Sequence, residues 1–263
     1  MLRWGGIPLL TVGFCNLKGG VGKTTACQNI AVALARAGKR VAVLDMDPQS
    51  NLSASFGISV APGTPHIFDL LSRDARWDEV VVCREGVDVV PSTLDLVMVE
   101  LRPEGAIGQD SLLREALDLV APERYDFILL DSPPQLGVFT RNVLTASDRL
   151  LVPMDGGFYS LAGLRLLNEA IPLFRERLNP RLSLLGVLMT RHNPNLFISR
   201  EVAGEVLNFF GNLFFSSYVR QNVSLIEASS LGMSVFAYDP ASNGARDYER
   251  VATEFLERCE HHG

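Results

Sequence analysis

The sequence predicts an α/β fold in which a mostly parallel, twisted sheet carries helices on both faces. Apolar runs rich in Val, Ile and Leu recur along the chain, and they are apolar throughout instead of alternating with polar residues. Strands of this composition are buried on both faces, as in a parallel sheet. Segments with helical periodicity separate the runs and supply the crossover connections. The predicted strands are 9–15, 40–46, 87–92, 127–132, 149–154 and 182–190.

Helical patterns fill several of the segments between the predicted strands. The clearest one covers residues 24–40, which place small or apolar side chains at helical spacing before Gly38 offers a left-handed helix end. No repeat and no linker divides the pattern, so residues 1–263 are expected to form a single domain. About eight residues precede the first predicted strand, so no N-terminal helix-turn-helix domain is expected. The further predicted helices are 111–121, 160–178, 199–210 and 245–260.

The overall composition favours no single class of partner. The 263 residues are 47% hydrophobic, which is enough for a sizeable core, and the formal net charge is −6. A nucleic acid or an anionic membrane would therefore have to bind a local basic patch. The sequence starts with no signal-peptide pattern, and no run approaches the ~18 apolar residues of a membrane-spanning helix. These features predict a cytoplasmic protein.

The cysteines and histidines show no spacing typical of a metal or redox site. We interpret the cysteines as reduced thiols of the core and the histidines as solvated surface residues. The residues concerned are Cys15, Cys27, Cys83 and Cys259, together with His66, His192, His261 and His262.

A glycine-rich turn follows the first predicted strand. Residues 16–25 read NLKGGVGKTT and nearly match the phosphate-binding pattern G-x-x-x-x-G-K-[ST]. Such a turn presents backbone N–H groups and the positive end of a helix to a phosphate. Lys23 would reach the β and γ phosphates, and the Thr24 hydroxyl would bind Mg²⁺. Leu17 stands where the pattern has its first glycine, and Lys18 adds a second lysine at the mouth of the turn.

Carboxylates end two other predicted strands. Asp131 closes the run FILLD, where a carboxylate can hold a metal-bound water, although it could instead cap the turn through its own backbone. Asp45 and Asp47 end the second strand, which is expected to lie close to the first. One of these two can orient the attacking water, because phosphoryl transfer chiefly needs positioning and charge neutralisation.

Four blocks of the sequence, taken together, resemble a known family. They are KGGVGKTT at 18–25, VLDMDPQSN at 43–51, ILLDSPP at 128–134 and RQNVSLIEASSLGMSVFAYDPASNGARDY at 220–248. In this order they are similar to the deviant Walker A ATPases of the P-loop NTPase fold, and among these to the ParA (Soj-like) partition ATPases. The resemblance covers most of the chain.

The resemblance implies a role for the second lysine and for each carboxylate. In the family, the lysine that matches Lys18 crosses a dimer interface to the partner's nucleotide, so that two ATP molecules lie between two subunits. The aspartate that matches Asp47 positions the hydrolytic water. Mg²⁺ is expected on Thr24, with Asp131 and Asp45 acting through water. The expected catalytic residues are Lys18, Lys23 and Asp47, and the nucleotide-binding residues are Lys18, Gly19, Gly20, Val21, Gly22, Lys23, Thr24 and Thr25.

The chain departs from the family pattern in two places. Where many members read IPRNVRLSEAP, this chain reads VRQNVSLIEAS, so that Arg220 takes the proline place and Ser224 replaces the second arginine. Where the family shows VPxQ followed by a glutamate, this chain has Asp155 in the glutamine place and Gly157 in the glutamate place. Any nucleotide contact that the family makes from the loop after VPxQ is therefore not assigned to this chain.

The family function implied is an ATP-dependent dimerising switch for chromosome or plasmid segregation. Such dimers bind duplex DNA without sequence preference, through phosphate contacts, and act with a ParB-like partner at the nucleoid. The ATP-bound homodimer would be the DNA-binding form. Candidate DNA contacts in this chain are Arg220, Arg246, Arg191 and Arg200.

Other members of the superfamily define the alternatives. Some position another cargo, such as an organelle or a protein cluster. MinD-like members bind membranes through a basic amphipathic C-terminal helix, whereas residues 246–260 carry five acidic and three basic residues, so no membrane partner is expected. Metabolic members include nitrogenase reductase, cluster carriers and ligases. The lack of paired cysteines speaks against the first two of these, and the C-terminal block against the third.

Overall fold

Seven strands form a sheet in the computed structural model, which describes residues 9–100, 108–157 and 160–260. The strands are β1 (Leu10–Phe14), β2 (Val41–Asp45), β3 (Val82–Arg84), β4 (Val87–Val90), β5 (Phe127–Asp131), β6 (Arg149–Asp155) and β7 (Ser183–Thr190). Their order across the sheet is β3-β4-β2-β5-β1-β6-β7. Neighbouring strands run parallel, except that β3 is antiparallel to β4. The predicted, mostly parallel sheet is confirmed.

Helices connect the parallel strands, and most of the chain outside the sheet is helical. The α-helices of the described residues are α1 (Lys23–Arg36), α2 (Asn51–Ser55), α3 (Ile67–Ser72), α4 (Trp77–Val80), α5 (Leu112–Leu117), α6 (Val138–Ala146), α7 (Ser160–Arg177), α8 (Phe197–Phe210), α9 (Val223–Ser230), α10 (Val235–Tyr238) and α11 (Asn243–Glu260). Short 3₁₀ segments cover Leu94–Val99 and Gly211–Leu213. Gly38, with φ of 82°, follows α1 in the left-handed conformation that the sequence predicts.

Both faces of the sheet are covered, because alternate residues of each strand point to opposite sides. Val43 of β2 and Leu129 of β5 belong to a buried cluster with α1 and α11, whereas the adjacent Leu44 and Leu130 belong to another with α3, α5 and α6. A third cluster joins β6 and β7 to α7 and α8. The strands are therefore apolar throughout because helices bury both sides.

The parallel arrangement brings the functional loops to one edge. The carboxyl ends of β1, β2, β5, β6 and β7 lie at the same edge of the sheet. The second strand was expected close to the first, and the structure gives the detail that β5 lies between β2 and β1 and pairs with both. In this register Asp131 is opposite Phe14 on one side and Asp45 on the other. Asp131 therefore lies between the phosphate loop and the end of β2.

Several local predictions are wrong in informative ways. His66 and His192 are buried: the ring of His66 accepts a hydrogen bond from the backbone N–H of Phe68, and that of His192 contacts the Ser199 hydroxyl. Cys83 is exposed on the edge strand β3, which the sequence analysis did not predict, whereas Cys15, Cys27 and Cys259 are buried. A single hydrogen bond is enough to satisfy such a buried polar side chain, and it leaves no periodic pattern in the sequence from which burial could be predicted. His261 and His262 lie outside the described residues.

Within the described ranges, every helix is too short or too polar to span a lipid bilayer.

Candidate active site

The glycine-rich loop between β1 and α1 adopts a conformation that needs glycine. Gly20 and Gly22 have φ of 74° and 79°, and Gly22 directly precedes the first turn of α1. Positive φ at these positions lets consecutive N–H groups turn towards one point at the helix N-terminus, where an anion is favoured. The loop therefore has the backbone of a phosphate-binding site.

Two buried polar side chains tie this loop to neighbouring strands. The side-chain Oδ1 of Asn16 accepts a hydrogen bond from the backbone N–H of Lys18 at 3.0 Å. The side-chain Nδ2 of Asn16 donates to the Pro153 carbonyl at 2.8 Å. The Thr190 hydroxyl donates to the Val21 carbonyl at 2.6 Å. Neither Asn16 nor Thr190 was predicted as a site residue. In the sequence, both could have been noticed as polar residues at or just beyond the carboxyl end of an apolar strand.

Lys23 lies under the loop. Its side chain is buried, and its ammonium donates to the Lys18 carbonyl at 3.3 Å. Burial lowers the pKa of Lys23, and the nearby Asp131 carboxylate opposes this shift. A cation held in a partly desolvated position interacts more strongly with a phosphate than it would in water.

Thr24 and Asp131 form a pair beside the loop. The Thr24 hydroxyl donates to Oδ2 of Asp131 at 2.7 Å, while the buried Oδ1 of Asp131 has no hydrogen-bond partner among the described residues. Burial, with a smaller contribution from the adjacent Asp45, raises the pKa of Asp131 to about 8. The turn-capping alternative is therefore not observed, because neither Asp131 oxygen accepts from its own turn.

The Thr24–Asp131 pair fits a magnesium ion. An unpartnered buried carboxylate oxygen beside a hydroxyl supplies hard oxygen ligands, and a cation would offset the cost of its burial. Among the described residues, no three His, Cys, Asp or Glu side chains are grouped so as to hold a metal by themselves. Mg²⁺ is commonly bound through one or two carboxylates together with substrate phosphates and water.

Asp45 is committed to structural hydrogen bonds. Its Oδ1 accepts from the Asp47 N–H at 3.1 Å, and its Oδ2 accepts from the N–H and hydroxyl of Ser53 at 2.8 Å and 2.7 Å. Burial raises the pKa of Asp45 to about 6. The predicted role of Asp45 near the metal stays a prediction, and the geometry adds that Asp45 and Ser53 hold the loop that carries Asp47.

Asp47 faces the cleft above the loop. Its Oδ1 accepts from the Gln49 N–H at 2.9 Å, and the residue is largely buried in the cleft wall. The cleft has a volume of about 1040 Å³ and extends from the phosphate loop to α9. It is lined by Gly19, Gly20, Gly22, Lys23, Thr24, Thr25 and Asp47, among others. Val21 is buried behind the loop, and Asp45 and Asp131 lie beneath the cleft.

Lys18 extends away from the loop. Its ammonium forms an ion pair with Asp155 at the end of β6, with distances of 3.0 Å to Oδ1 and 2.9 Å to Oδ2. The two side chains are 32% and 22% exposed. Lys18 belongs to the predicted site. Asp155 belongs to the segment at the end of β6, where the sequence analysis found a departure from the family pattern.

Three of the four candidate DNA-binding arginines lie at one corner of the molecule. A β-bridge joins Arg220 to His192, the neighbour of Arg191, and the Arg220 guanidinium binds Asp247, the neighbour of Arg246. The Arg191 guanidinium donates to the Gly20 carbonyl of the phosphate loop. Arg200 lies on α8 and is exposed. Arg220 differs from the others, because its Nε and Nη2 are both committed to the buried Asp247.

Comparisons with known proteins agree with this architecture. A family model described as an AAA domain matches residues 10–184. The chain is 37% identical over 254 residues to the chromosome partitioning protein ParA of Caulobacter vibrioides, covering 95% of this chain and 95% of ParA. It is 36% identical over 245 residues to the sporulation initiation inhibitor protein Soj of Bacillus subtilis, covering 92% of this chain and 96% of Soj.

A solved structure shares the fold over nearly the whole length. It is that of cobyrinic acid a,c-diamide synthase from Mycobacterium smegmatis with bound ADP and magnesium. The TM-score is 0.84 at 27% sequence identity, and the match covers 97% of each chain.

Proposed function

The chain belongs to the ParA/Soj family of deviant Walker A ATPases, and from this premise we propose that it is an ATP-dependent switch that segregates a chromosome or plasmid. ATP brings two subunits together, and the dimer binds duplex DNA without sequence preference. A ParB-like partner then stimulates hydrolysis and releases the dimer. The observation that carries the proposal is Lys18 at the mouth of a phosphate loop whose Thr24 and Asp131 fit magnesium.

ATP is bound by the loop and α1. The N–H groups around Gly20 and Gly22 receive the phosphates, and Lys23 places its ammonium among them. Thr24, with Asp131 acting through water, would hold Mg²⁺, which would supply positive charge against the phosphates. Asp47 faces the same cleft and orients the attacking water. Asp45 keeps Asp47 in place through the hydrogen bonds that fix the loop after β2.

Dimerisation supplies the remaining charge. The Lys18 side chain is partly exposed, so that its ammonium can leave its own subunit. In the ATP-bound dimer it contacts the partner's phosphates. A cation supplied in trans makes assembly and charge stabilisation depend on one another, as an arginine finger does.

DNA binding uses the exposed arginines near the cleft. Arg191 and Arg246 lie at the corner described above and Arg200 lies exposed on α8, and we assign phosphate contacts to these three. Arg220 contributes only the part of its side chain that Asp247 leaves accessible. Because the net charge is −6, the local patch and not the overall charge provides this affinity.

The proposal is tested with Asp47→Ala, which should bind ATP and dimerise while hydrolysing little. Binding of this variant to a non-specific duplex is measured with ATP or ADP across a salt titration. We expect binding with ATP only. If each subunit uses two or three arginines, the slope of log K against log salt should be roughly −4 to −5. Lys23→Ala in the same background is the matched control and should not bind DNA with either nucleotide.

A second variant tests the DNA surface. Arg246→Ala removes one phosphate contact per subunit, and thus two per dimer, so it should reduce the salt slope by about 2. An ATP-dependent Asp47→Ala dimer that binds no DNA would reject the segregation function while leaving the ATPase switch intact. Normal hydrolysis by Asp47→Ala would reject the role of Asp47.

A further inference from the structure

We propose that Asp155 is a positioning residue that holds the Lys18 ammonium within its own subunit, so that the Lys18–Asp155 ion pair restrains ATP-dependent dimerisation. The inference rests on the proposed function, because it concerns the lysine that would act across the dimer interface. It adds a residue in cis that competes with the partner's phosphates for the same ammonium.

The pair has the geometry of a specific contact. The Lys18 ammonium lies 3.0 Å from one Asp155 oxygen and 2.9 Å from the other, so both carboxylate oxygens share it. The two residues are 137 positions apart in the chain. They meet because β6 lies directly beside β1, which leads into the phosphate loop.

The loop after β6 is built around this pair. The Gly157 N–H donates to Oδ1 of Asp155 at 3.1 Å, which fixes the carboxylate. A Cβ at position 157 would lie 3.1 Å from that oxygen and 3.5 Å from the Lys18 ammonium, so glycine leaves the space that the pair occupies. The next residue back, Gly156, packs so closely on Ser199 of α8 that a Cβ would meet its hydroxyl at 2.4 Å.

Two residues of this loop therefore serve one contact. Asp155 supplies the carboxylate, and Gly157 leaves the space beside it free of a side chain. A change at only one of the two positions would leave the pair either without its acid or crowded.

The pair is weak enough to open when a nucleotide is available. Its side chains are 32% and 22% exposed, and an ion pair exposed to this degree shifts an equilibrium by up to about fivefold. A triphosphate in the partner's loop offers the same ammonium more negative charge than one carboxylate does. Since a symmetric dimer releases two lysines, the restraint on dimerisation reaches up to about 30-fold.

The first test measures Lys18 in the nucleotide-free monomer. The lysines of the chain are Lys18, Lys23 and Lys39, which makes amine acylation followed by peptide mass spectrometry straightforward to assign. Asp155→Asn should raise the acylation rate of Lys18 up to about fivefold, because the ion pair holds the Lys18 nitrogen against the carboxylate and away from the reagent. Lys39, on the loop after α1, is the internal control and should not change.

The second test measures assembly. In the Asp47→Ala full-length protein, sedimentation in the presence of ATP and Mg²⁺ gives the dimer Kd with and without Asp155→Asn. We expect Asp155→Asn to lower the Kd up to about 30-fold, and Asp155→Glu, which keeps the charge, to change it less. Gly157→Ala, which crowds the pair without removing either partner, should move the Kd in the same direction as Asp155→Asn and serves if that variant folds poorly.

The outcomes separate the inference from the proposed function. If the parent dimerises with ATP and neither Asp155→Asn nor Gly157→Ala lowers the Kd by more than twofold, the restraint is rejected and the switch survives. If no variant dimerises, both are rejected. An unchanged Lys18 acylation rate in Asp155→Asn also rejects the restraint, because the carboxylate then does not hold the ammonium in solution.

Discussion

Replacing Arg220 with alanine tests whether this arginine stabilises the fold as well as contacting DNA. The Arg220 side chain donates to Asp247 through Nε at 2.9 Å and through Nη2 at 2.7 Å. Asp247 is 1% exposed on α11, so this pair joins the segment before α9 to the C-terminal helix. Arg220→Ala keeps the backbone N–H bond to Asp247, which is 3.0 Å long, and removes both guanidinium bonds.

The expected loss of stability follows from the burial of the two partners. Removing one partner of a buried ion pair costs about 3–5 kcal/mol, because the other charge stays buried without compensation. Arg220 is one-third exposed and the backbone bond remains, so water can partly replace the guanidinium. We therefore expect a decrease of about 2–3 kcal/mol in the free energy of unfolding.

Urea denaturation of the nucleotide-free protein measures this decrease. Arg246→Ala is the matched control, because Arg246 is exposed and, among the described residues, its guanidinium donates hydrogen bonds only to Ala241 and Asn243. It should change the free energy of unfolding by less than about 0.5 kcal/mol. Arg220→Lys keeps the charge but not the planar fork, so an intermediate loss is expected.

A loss below about 1 kcal/mol for Arg220→Ala, with an unchanged denaturant slope, would refute the structural role of the pair. The result also decides how DNA-binding data are interpreted. If Arg220→Ala unfolds easily, weaker DNA binding by this variant does not identify Arg220 as a phosphate contact, whereas the same loss in Arg246→Ala does.

Three further predictions follow from the site and the core. Lys23→Ala should abolish stabilisation by ATP and Mg²⁺, which for the wild type at a hundredfold excess over Kd is about 2.7 kcal/mol in thermal unfolding. Ser53→Ala leaves a buried Asp45 oxygen without its hydroxyl donor and should cost about 1–3 kcal/mol in urea denaturation. Gly13→Ala would place a Cβ 2.8 Å from Val143 and should cost about 1–3 kcal/mol in the same assay.

Matched controls accompany the two stability predictions. Gly204 on α8 has no atom within 4 Å of its Cβ position, so Gly204→Ala should be neutral or slightly stabilising. Ser230 is an exposed serine, and Ser230→Ala should have little effect. If Lys23→Ala is still stabilised by ATP, the role of the loop lysine is wrong. If Ser53→Ala or Gly13→Ala behaves like its control, the packing argument at that position fails.

Local patterns in the sequence were sufficient for the parts of the site that come from contiguous residues. The loop at 18–25 has a glycine, lysine and hydroxyl spacing typical of a strand-to-helix phosphate turn, and Gly20 and Gly22 adopt positive φ there. Asp131 ends an apolar strand and Asp47 lies two residues beyond another, and parallel strands bring their carboxyl ends to one edge. Loop, carboxylates and sheet type could therefore be predicted together.

Short elements and buried polar residues were not predictable in the same way. Helices such as α2, α9 and α10 cover too few turns to show a helical period, and β3 is an edge strand that exposes Cys83. His192 was predicted to be a surface residue, although the Ser199 hydroxyl makes its burial possible. Whether a buried polar group has a partner depends on the neighbour that folding brings to it.

The sequence by itself determined the family, the phosphate loop and the strand ends that carry the carboxylates, because each of these is a pattern of residues adjacent in the chain. Only the tertiary structure decided that β5 separates β1 from β2, that Arg220 binds the buried Asp247, and that Lys18 binds Asp155. Strand order and long-range ion pairs depend on how the packed helices and strands bury their apolar faces. That global choice leaves no local period in the sequence.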